Sequence, residues 1–166
     1  VKLFGVVGWK NSGKTTLVAR LVTELKSRGF SVSTVKHAHH AFDLDQPGRD
    51  SYKHREAGAH EVLISSGNRW ALMHELQGEE EYKLDDLLAK MSAVDIVIVE
   101  GFKRTPHAKI ECHRATSEMP LVSSVNETIV AVASDVDVDT SGLILLDLND
   151  VKAIADFVLA KTGLGG

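Results

Sequence analysis

The chain has 166 residues, and at about 100–200 residues per domain this length predicts a single domain spanning residues 1–166. Lys and Arg total 19 and Asp and Glu total 23, a net charge of −4 that excludes the strongly basic domains that hold nucleic acid by bulk charge. A hydrophobic content of 43% and a charged content of 25% exclude wholesale disorder, and the lone Cys112 excludes an internal disulfide framework and a cysteine zinc cage.

Val1–Val7 is a short β-branched and aromatic run, which predicts a buried strand. It is too short for the apolar region of a secretory signal. No apolar run approaches the ~18 residues of a membrane span, so a cytoplasmic protein without membrane attachment is expected. From Lys14 the pattern turns helical: Leu17, Val18, Leu21, Val22 and Leu25 form one apolar stripe, Lys26 and Arg28 suit the last turn, and Gly29 is the expected stop. Phe30–Val35 reads as a second strand. Strand, glycine-rich turn, helix and strand make a βαβ unit, the start of a mainly parallel α/β sheet flanked by helices.

His37–Gly48 is a polar loop longer than most connections. Arg49–Gly58 suggests a short helix closed by Gly58. Glu61–Ser65 and Arg69–Glu75 alternate around Ser66-Gly67-Asn68, which predicts an inserted β-hairpin. Leu84–Met91 reads as a helix and Val94–Val99 as a buried strand. Residues 103–128 give no clear pattern. Ile129–Ala133 and Leu143–Leu146 read as further strands, and Asp150 as the cap of a last helix lined by Val151, Ile154, Ala155 and Val158.

Gly8-Trp9-Lys10-Asn11-Ser12-Gly13-Lys14-Thr15 matches G-x-x-x-x-G-K-[ST] at the point where a strand ends and a helix begins, the context the P-loop motif requires. Gly8 and Gly13 let the backbone turn around phosphate oxygens. The N–H groups of Asn11, Ser12 and the first helical turn, Thr16 included, are orphan donors at the positive end of a dipole. Lys14 would place its charge on the β- and γ-phosphates, and the Thr15 hydroxyl would ligate Mg²⁺. The metal's second partner should lie at the end of another parallel strand on the same sheet edge, where Asp95–Gly101 delivers Glu100; the Gly101 N–H would sense the γ-phosphate. Asp95, at the other end of that strand, is out of reach. No N-K-x-D motif reads guanine, but Asp135 ends a late strand where a carboxylate would accept from guanine N1–H and N2–H₂. A plain turn Asp is the competing reading.

Lys36-His37-Ala38-His39-His40 opens the polar loop, with Asp43, Arg49, Asp50 and Lys53 soon after. Three readings stand: a histidine metal site, a solvated loop, or a switch loop in which Lys36, His37, Arg49 and Lys53 contact an anion while Asp43 or Asp50 positions water or Mg²⁺. Lys103 and Arg104 add a second basic cluster, and two clusters in an acidic chain suggest a second phosphate-bearing ligand. Cys112 reads as a small buried hydrophobe.

Taken together, Gly8–Thr16, Lys36–Asp43, Pro47–Asp50 with His54–Ala59, and Val99–Lys103 resemble the molybdopterin-guanine dinucleotide biosynthesis protein B family over nearly the whole chain. The resemblance implies a dimeric P-loop protein that binds GTP and Mg²⁺ and hydrolyses GTP weakly. It also implies a role assisting the guanylyl-transfer enzyme that joins GMP to molybdopterin. It assigns Gly13, Lys14, Thr15 and Thr16 to phosphate and Mg²⁺, makes Glu100 the acid of the second nucleotide motif, and leaves Asp135 as the guanine candidate. The basic clusters would then hold the phosphate of molybdopterin. Trp9 stands where related ATPases carry a second signature lysine, and the lysine here is Lys10. With no arginine evident beside the loop, slow turnover is expected, near 10⁻⁴–10⁻³ s⁻¹ for a GTPase lacking one. A small-molecule kinase with Asp43 or Asp50 as base, and a nucleotide-gated metal chaperone using His37, His39 and His40, are the alternatives.

Overall fold

Strand β1 (Lys2–Val7), helix α1 (Lys14–Ser27) and strand β2 (Val32–Lys36) follow one another in the chain, yet the two strands are not neighbours. The computed structural model, which describes residues 1–38 and 43–165, inserts β5 (Ile96–Glu100) between them. On the other side of β1 lie β6 (Lys109–His113), β7 (Ile129–Ser134) and β8 (Ile144–Asp147), giving a six-stranded sheet of order β2-β5-β1-β6-β7-β8. Every pairing in it is parallel. The order reverses at β1, and in open parallel sheets the crevice at such a reversal, outside the carboxyl ends of the strands, is where ligands bind. The chain divides into two units: this sheet with its helices, residues 1–37 and 91–166, and a second unit, residues 38–90.

The stripe on α1 buries Leu17, Val18, Leu21 and Leu25 beside Ile154, Ala155, Val158 and Leu159 of helix α4 (Val151–Thr162), over Phe4, Val6, Ile96, Ile98, Ile110 and Cys112 of the sheet. Each fully buried Leu or Ile contributes about 1.5–3 kcal/mol, so this layer supplies most of what holds the unit together. Both helices begin and end where local signals place them. The Asp150 carboxylate accepts from Ala153 N (3.0 Å). After α1 the N–H groups of Gly29 and Phe30 return to the carbonyls of Lys26 (3.0 Å) and Leu25 (3.1 Å), a Schellman closure. Arg28 then ties α1 to α4 through Asp156 (2.5 Å).

β6 lies within the stretch that gave no clear pattern, and its polar residues explain why. Ile110 and Cys112 join the main core, while Lys109 and Glu111, at 0% and 1% exposure, are buried as deeply. The Glu111 carboxylate accepts from Val122 N (2.7 Å) and Ser123 N (2.8 Å), anchoring a 3-10 turn at Val122–Val125. The Lys109 ammonium donates to the carbonyls of Thr105 and His107 and to the Thr128 hydroxyl. Burial pushes its pKa down to about 8. Cys112 is buried as expected, which pushes its thiol up to about 12.

The second unit contains helix α2 (Asp50–Glu56), an antiparallel hairpin of β3 (Glu61–Ser65) and β4 (Trp70–His74), and helix α3 (Leu84–Leu88). The hairpin falls where the sequence puts it, and α3 ends three residues before the expected Met91. Arg55 is the hub of its polar contacts, pairing with Asp43 (2.7 Å) and Glu75 (2.8 Å). Among the described residues no helix is long and apolar enough to cross a membrane.

Candidate functional site

β1 ends at Val7 and the chain turns through residues 8–13 into α1, so the turn lies at the carboxyl edge of the sheet's central strands. Two glycines make it possible. Gly8 has φ +145°, and a β-carbon there would stand 2.5 Å from the Cys112 carbonyl oxygen and 2.6 Å from Ser12 Oγ. Gly13, at φ +94°, precedes the first helical turn. Asn11 also takes a left-handed conformation, at φ 63°, as Asn does more readily than most residues. The Ser12 side chain is turned inward, its Oγ buried with no hydrogen-bond partner among the described residues. The Ser12 amide, expected as an orphan donor, instead donates to the Trp9 carbonyl (3.3 Å), but an unsatisfied hydroxyl in a glycine turn at a helix N-terminus suits a phosphate.

Lys14 curls back so that its ammonium donates to the Trp9 carbonyl (2.5 Å). Partial burial lowers its pKa, with Glu100 acting in the opposite sense. The Thr15 hydroxyl donates to Glu100 Oε1 (2.9 Å), and Lys36 Nζ lies 3.2 Å from the same oxygen and 3.4 Å from Thr15 Oγ1. The ends of β1, β2 and β5 thus bring Lys14, Thr15, Lys36 and Glu100 together, as their shared sheet edge predicts. A threonine hydroxyl beside a largely buried carboxylate, two hard oxygen donors, fits Mg²⁺. Thr16 is exposed in the same helical turn.

The rest of the sequence-predicted set divides. Gly101 adopts φ +90° against His37, and its N–H donates to the Val6 carbonyl (3.1 Å). The expectation of an amide aimed at a phosphate gives way to a bond within the sheet. His37 donates its N–H to the Glu100 carbonyl (2.9 Å) and packs its ring on Phe102. Lys103 places its ammonium over the Trp9 ring, 4.4 Å from the centroid, and so stands at the loop, while Arg104 is exposed in the turn beyond it. Asp135 accepts from Ala115 N (2.8 Å) through Oδ1. Asp95 is at the far end of β5, where its carboxylate accepts from Ser31 N and Oγ (2.7 and 2.6 Å).

Asp43, Arg49, Asp50 and Lys53 belong to the second unit. Asp43 is engaged by Arg55 and Asp45 N, Lys53 Nζ stands 3.4 Å from Asp50, and Arg49 is exposed at the start of α2. His39 and His40 lie outside the described residues.

One residue was missed. Arg114, immediately after β6, lays its guanidinium against the phosphate loop: a β-carbon on Gly13 would be 2.9 Å from its Nε and 3.1 Å from one Nη. Its other Nη is 3.6 Å from Asp135 Oδ2. The expectation that no arginine stands beside the loop is therefore corrected. Parallel pairing of β6 with β1, Val7 opposite Glu111, carries Arg114 there. The one available signal was the Ile110/Cys112 alternation, which marks a strand ending just before it.

The family model described as molybdopterin guanine dinucleotide synthesis protein B matches residues 3–135. The molybdopterin-guanine dinucleotide biosynthesis adapter protein of Escherichia coli (strain K12) is 41% identical over 162 residues, 96% of this chain and 92% of that protein. Its namesake from Haemophilus influenzae is 38% identical over 160 residues, 95% and 88% of the two chains. A crystal structure of molybdopterin-guanine biosynthesis protein B superposes with a TM-score of 0.74 at 30% identity, over 95% of this chain and 98% of that one.

Proposed function

This chain belongs to the molybdopterin guanine dinucleotide synthesis protein B family, and from that premise we propose that it is a GTP-binding adapter in molybdopterin-guanine dinucleotide biosynthesis with slow GTPase activity. The observation that carries the nucleotide reading is the convergence of Lys14, Thr15, Lys36 and Glu100 beside the glycine turn.

The loop amides and Ser12 would hold the β-phosphate, and Lys14 would leave the Trp9 carbonyl to neutralise the β- and γ-oxygens. Thr15 and Glu100 would hold Mg²⁺, directly or through its water, and the ion when bound supplies charge neutralisation across the β- and γ-phosphates. Glu100 already accepts from Thr15 and faces Lys36, so its role is to position groups and not to take a proton from water. With Arg114 standing beside the loop, slow turnover rests on this lack of a general base and not on a missing arginine. Asp135 would meet guanine with Oδ2, the oxygen that Ala115 leaves unbonded and that Arg114 faces at 3.6 Å. Lys36, His37, Lys103 and Arg104 would receive a second anion such as the phosphate of molybdopterin. The guanylyl-transfer enzyme is the proposed partner and a homodimer the proposed assembly.

Calorimetric titration with GTP and with ATP, each with Mg²⁺, tests the reading. Preference for GTP, lost in Lys14→Ala, is the expected result. Equal or ATP-favoured binding removes the guanine link and promotes the kinase reading. Binding that Lys14→Ala leaves intact moves the site elsewhere.

A further inference from the structure

The second unit holds a cluster that nucleotide binding leaves unused. His60 stands just before β3, His74 ends β4, and Glu79 lies in the tight turn that follows, where Gln77 and Gly78 take φ 47° and 95° and Glu79 N closes onto the Leu76 carbonyl. Hairpin register brings them together. Glu75 N donates to the His60 carbonyl (3.0 Å), and Glu61 pairs with His74. The Glu79 carboxylate faces both rings, Oε1 at 3.7 Å from His60 Nε2 and Oε2 at 3.5 Å from His74 Nε2. One ligand atom from each of the three residues lies within 4.8 Å of the others.

The far side of His74 gives a second, independent observation. Its Nδ1 is 2.8 Å from Glu61 Oε1. An ionised carboxylate only accepts, so Nδ1 carries the hydrogen and, in the neutral ring, Nε2 keeps its lone pair on the side of the cluster. Nε2 is buried and makes no aligned hydrogen bond among the described residues. A carboxylate gripping one ring nitrogen while the other stays available is the arrangement that orients metal-ligating histidines.

We propose that His60, His74 and Glu79 bind one divalent cation of the zinc class, with Glu61 as the positioning residue behind His74. Two imidazoles and one carboxylate suit Zn²⁺ and its borderline neighbours, whereas Mg²⁺ and Ca²⁺ take all-oxygen shells. Ligand atoms in a tetrahedral zinc shell stand about 3.3 Å apart, so the three ligand atoms, which lie within 4.8 Å of one another, would draw together by up to about 1.5 Å around the ion. The ion would fasten the base of the hairpin to the 77–79 turn, and water would fill its fourth position. None of the three ligands belongs to the His37–His40 run.

The test uses the metal-free full chain, titrated with Zn²⁺ against a chromophoric chelator and with Co²⁺ followed in the visible. One Zn²⁺ per chain is expected, with the intense ligand-field bands of four-coordinate Co²⁺. His60→Ala and Glu79→Gln, both at exposed positions, each abolish the bands and weaken Zn²⁺ binding by at least about tenfold, and Glu61→Gln weakens it by about 10–100-fold. The triple variant His37→Ala, His39→Ala, His40→Ala binds as the parent does. The proposal is overturned if the parent takes up no Zn²⁺ at micromolar concentration, if His60→Ala and Glu79→Gln bind as tightly as the parent, or if the triple variant alone loses the ion. Thermal unfolding of the metal-free variants confirms that each is folded.

Discussion

Arg114 covers Gly13, with the β-carbon position of the glycine 2.9 Å from the arginine Nε, and its opposite end faces Asp135. The same side chain therefore adjoins the phosphate loop and the candidate base reader. A hydrogen bond to a charged group contributes about 1.5–3 kcal/mol, so Arg114→Ala should weaken GTP binding by about tenfold or more. Arg114→Lys should recover only part of the loss, since an ammonium cannot present the planar fork. Titration of both variants checks this, and unchanged affinity would reduce Arg114 to a packing role.

Gly8 and Gly29 form a controlled pair for stability. Both have positive φ, +145° and +92°, but a β-carbon on Gly29 meets nothing within 4 Å whereas one on Gly8 meets the Cys112 carbonyl at 2.5 Å. Backbone strain alone should cost Gly29→Ala about 1–2 kcal/mol. Gly8→Ala adds displacement of a backbone oxygen in β6 and should cost clearly more. Urea midpoints rank the two, and equal losses would mean that the loop relaxes freely.

Glu100→Gln keeps the shape of the site and removes the charge that Thr15 and Lys36 face. Nucleotide binding without Mg²⁺ should change little. The Mg²⁺-dependent gain should fall by about 10–100-fold, and hydrolysis with it. Lys36 is largely exposed, so loss of its partner should not unfold the chain. Parent-like Mg²⁺ dependence would sink the metal role of Glu100.

Asp95 gives the acid response. The Ser31 hydroxyl and N–H donate to its ionised form and hold its carboxyl below the usual 3.8. The folded chain thus binds fewer protons there than the unfolded chain does. The clamp stabilises at pH above about 4 and is lost as pH falls through the lowered folded value. Thermal midpoints of the parent and Asp95→Asn should differ at pH 6 and converge toward pH 3. A gap independent of pH would refute this.

What was legible in the sequence was what neighbours along the chain decide. The α1 stripe with its Gly29 stop, the Asp150 cap and the hairpin around Ser66-Gly67-Asn68 all rest on contacts a few residues apart. So does the phosphate loop, whose glycines and lysine all fall within the seven residues Gly8–Lys14. β6 was illegible because Lys109 and Glu111 are buried against partners 2 to 19 residues away, which no periodicity reports. Arg114 was missed for the same reason: its place beside Gly13 is set by strand register. Gly101 shows the converse, since its position was legible but the Val6 carbonyl that takes its N–H was not.

Lys109 has a consequence for chemical labelling. With burial pushing its pKa down to about 8 it holds more free amine at neutral pH than an ordinary lysine, yet it has no solvent-exposed surface and its ammonium is surrounded by oxygens from Thr105, His107 and Thr128. An amine-acylating reagent would mark the surface lysines first and reach Lys109 only when the 102–108 segment lifts from the sheet. Acylation at this one position is therefore a built-in clock for the opening of that edge, readable by mass spectrometry.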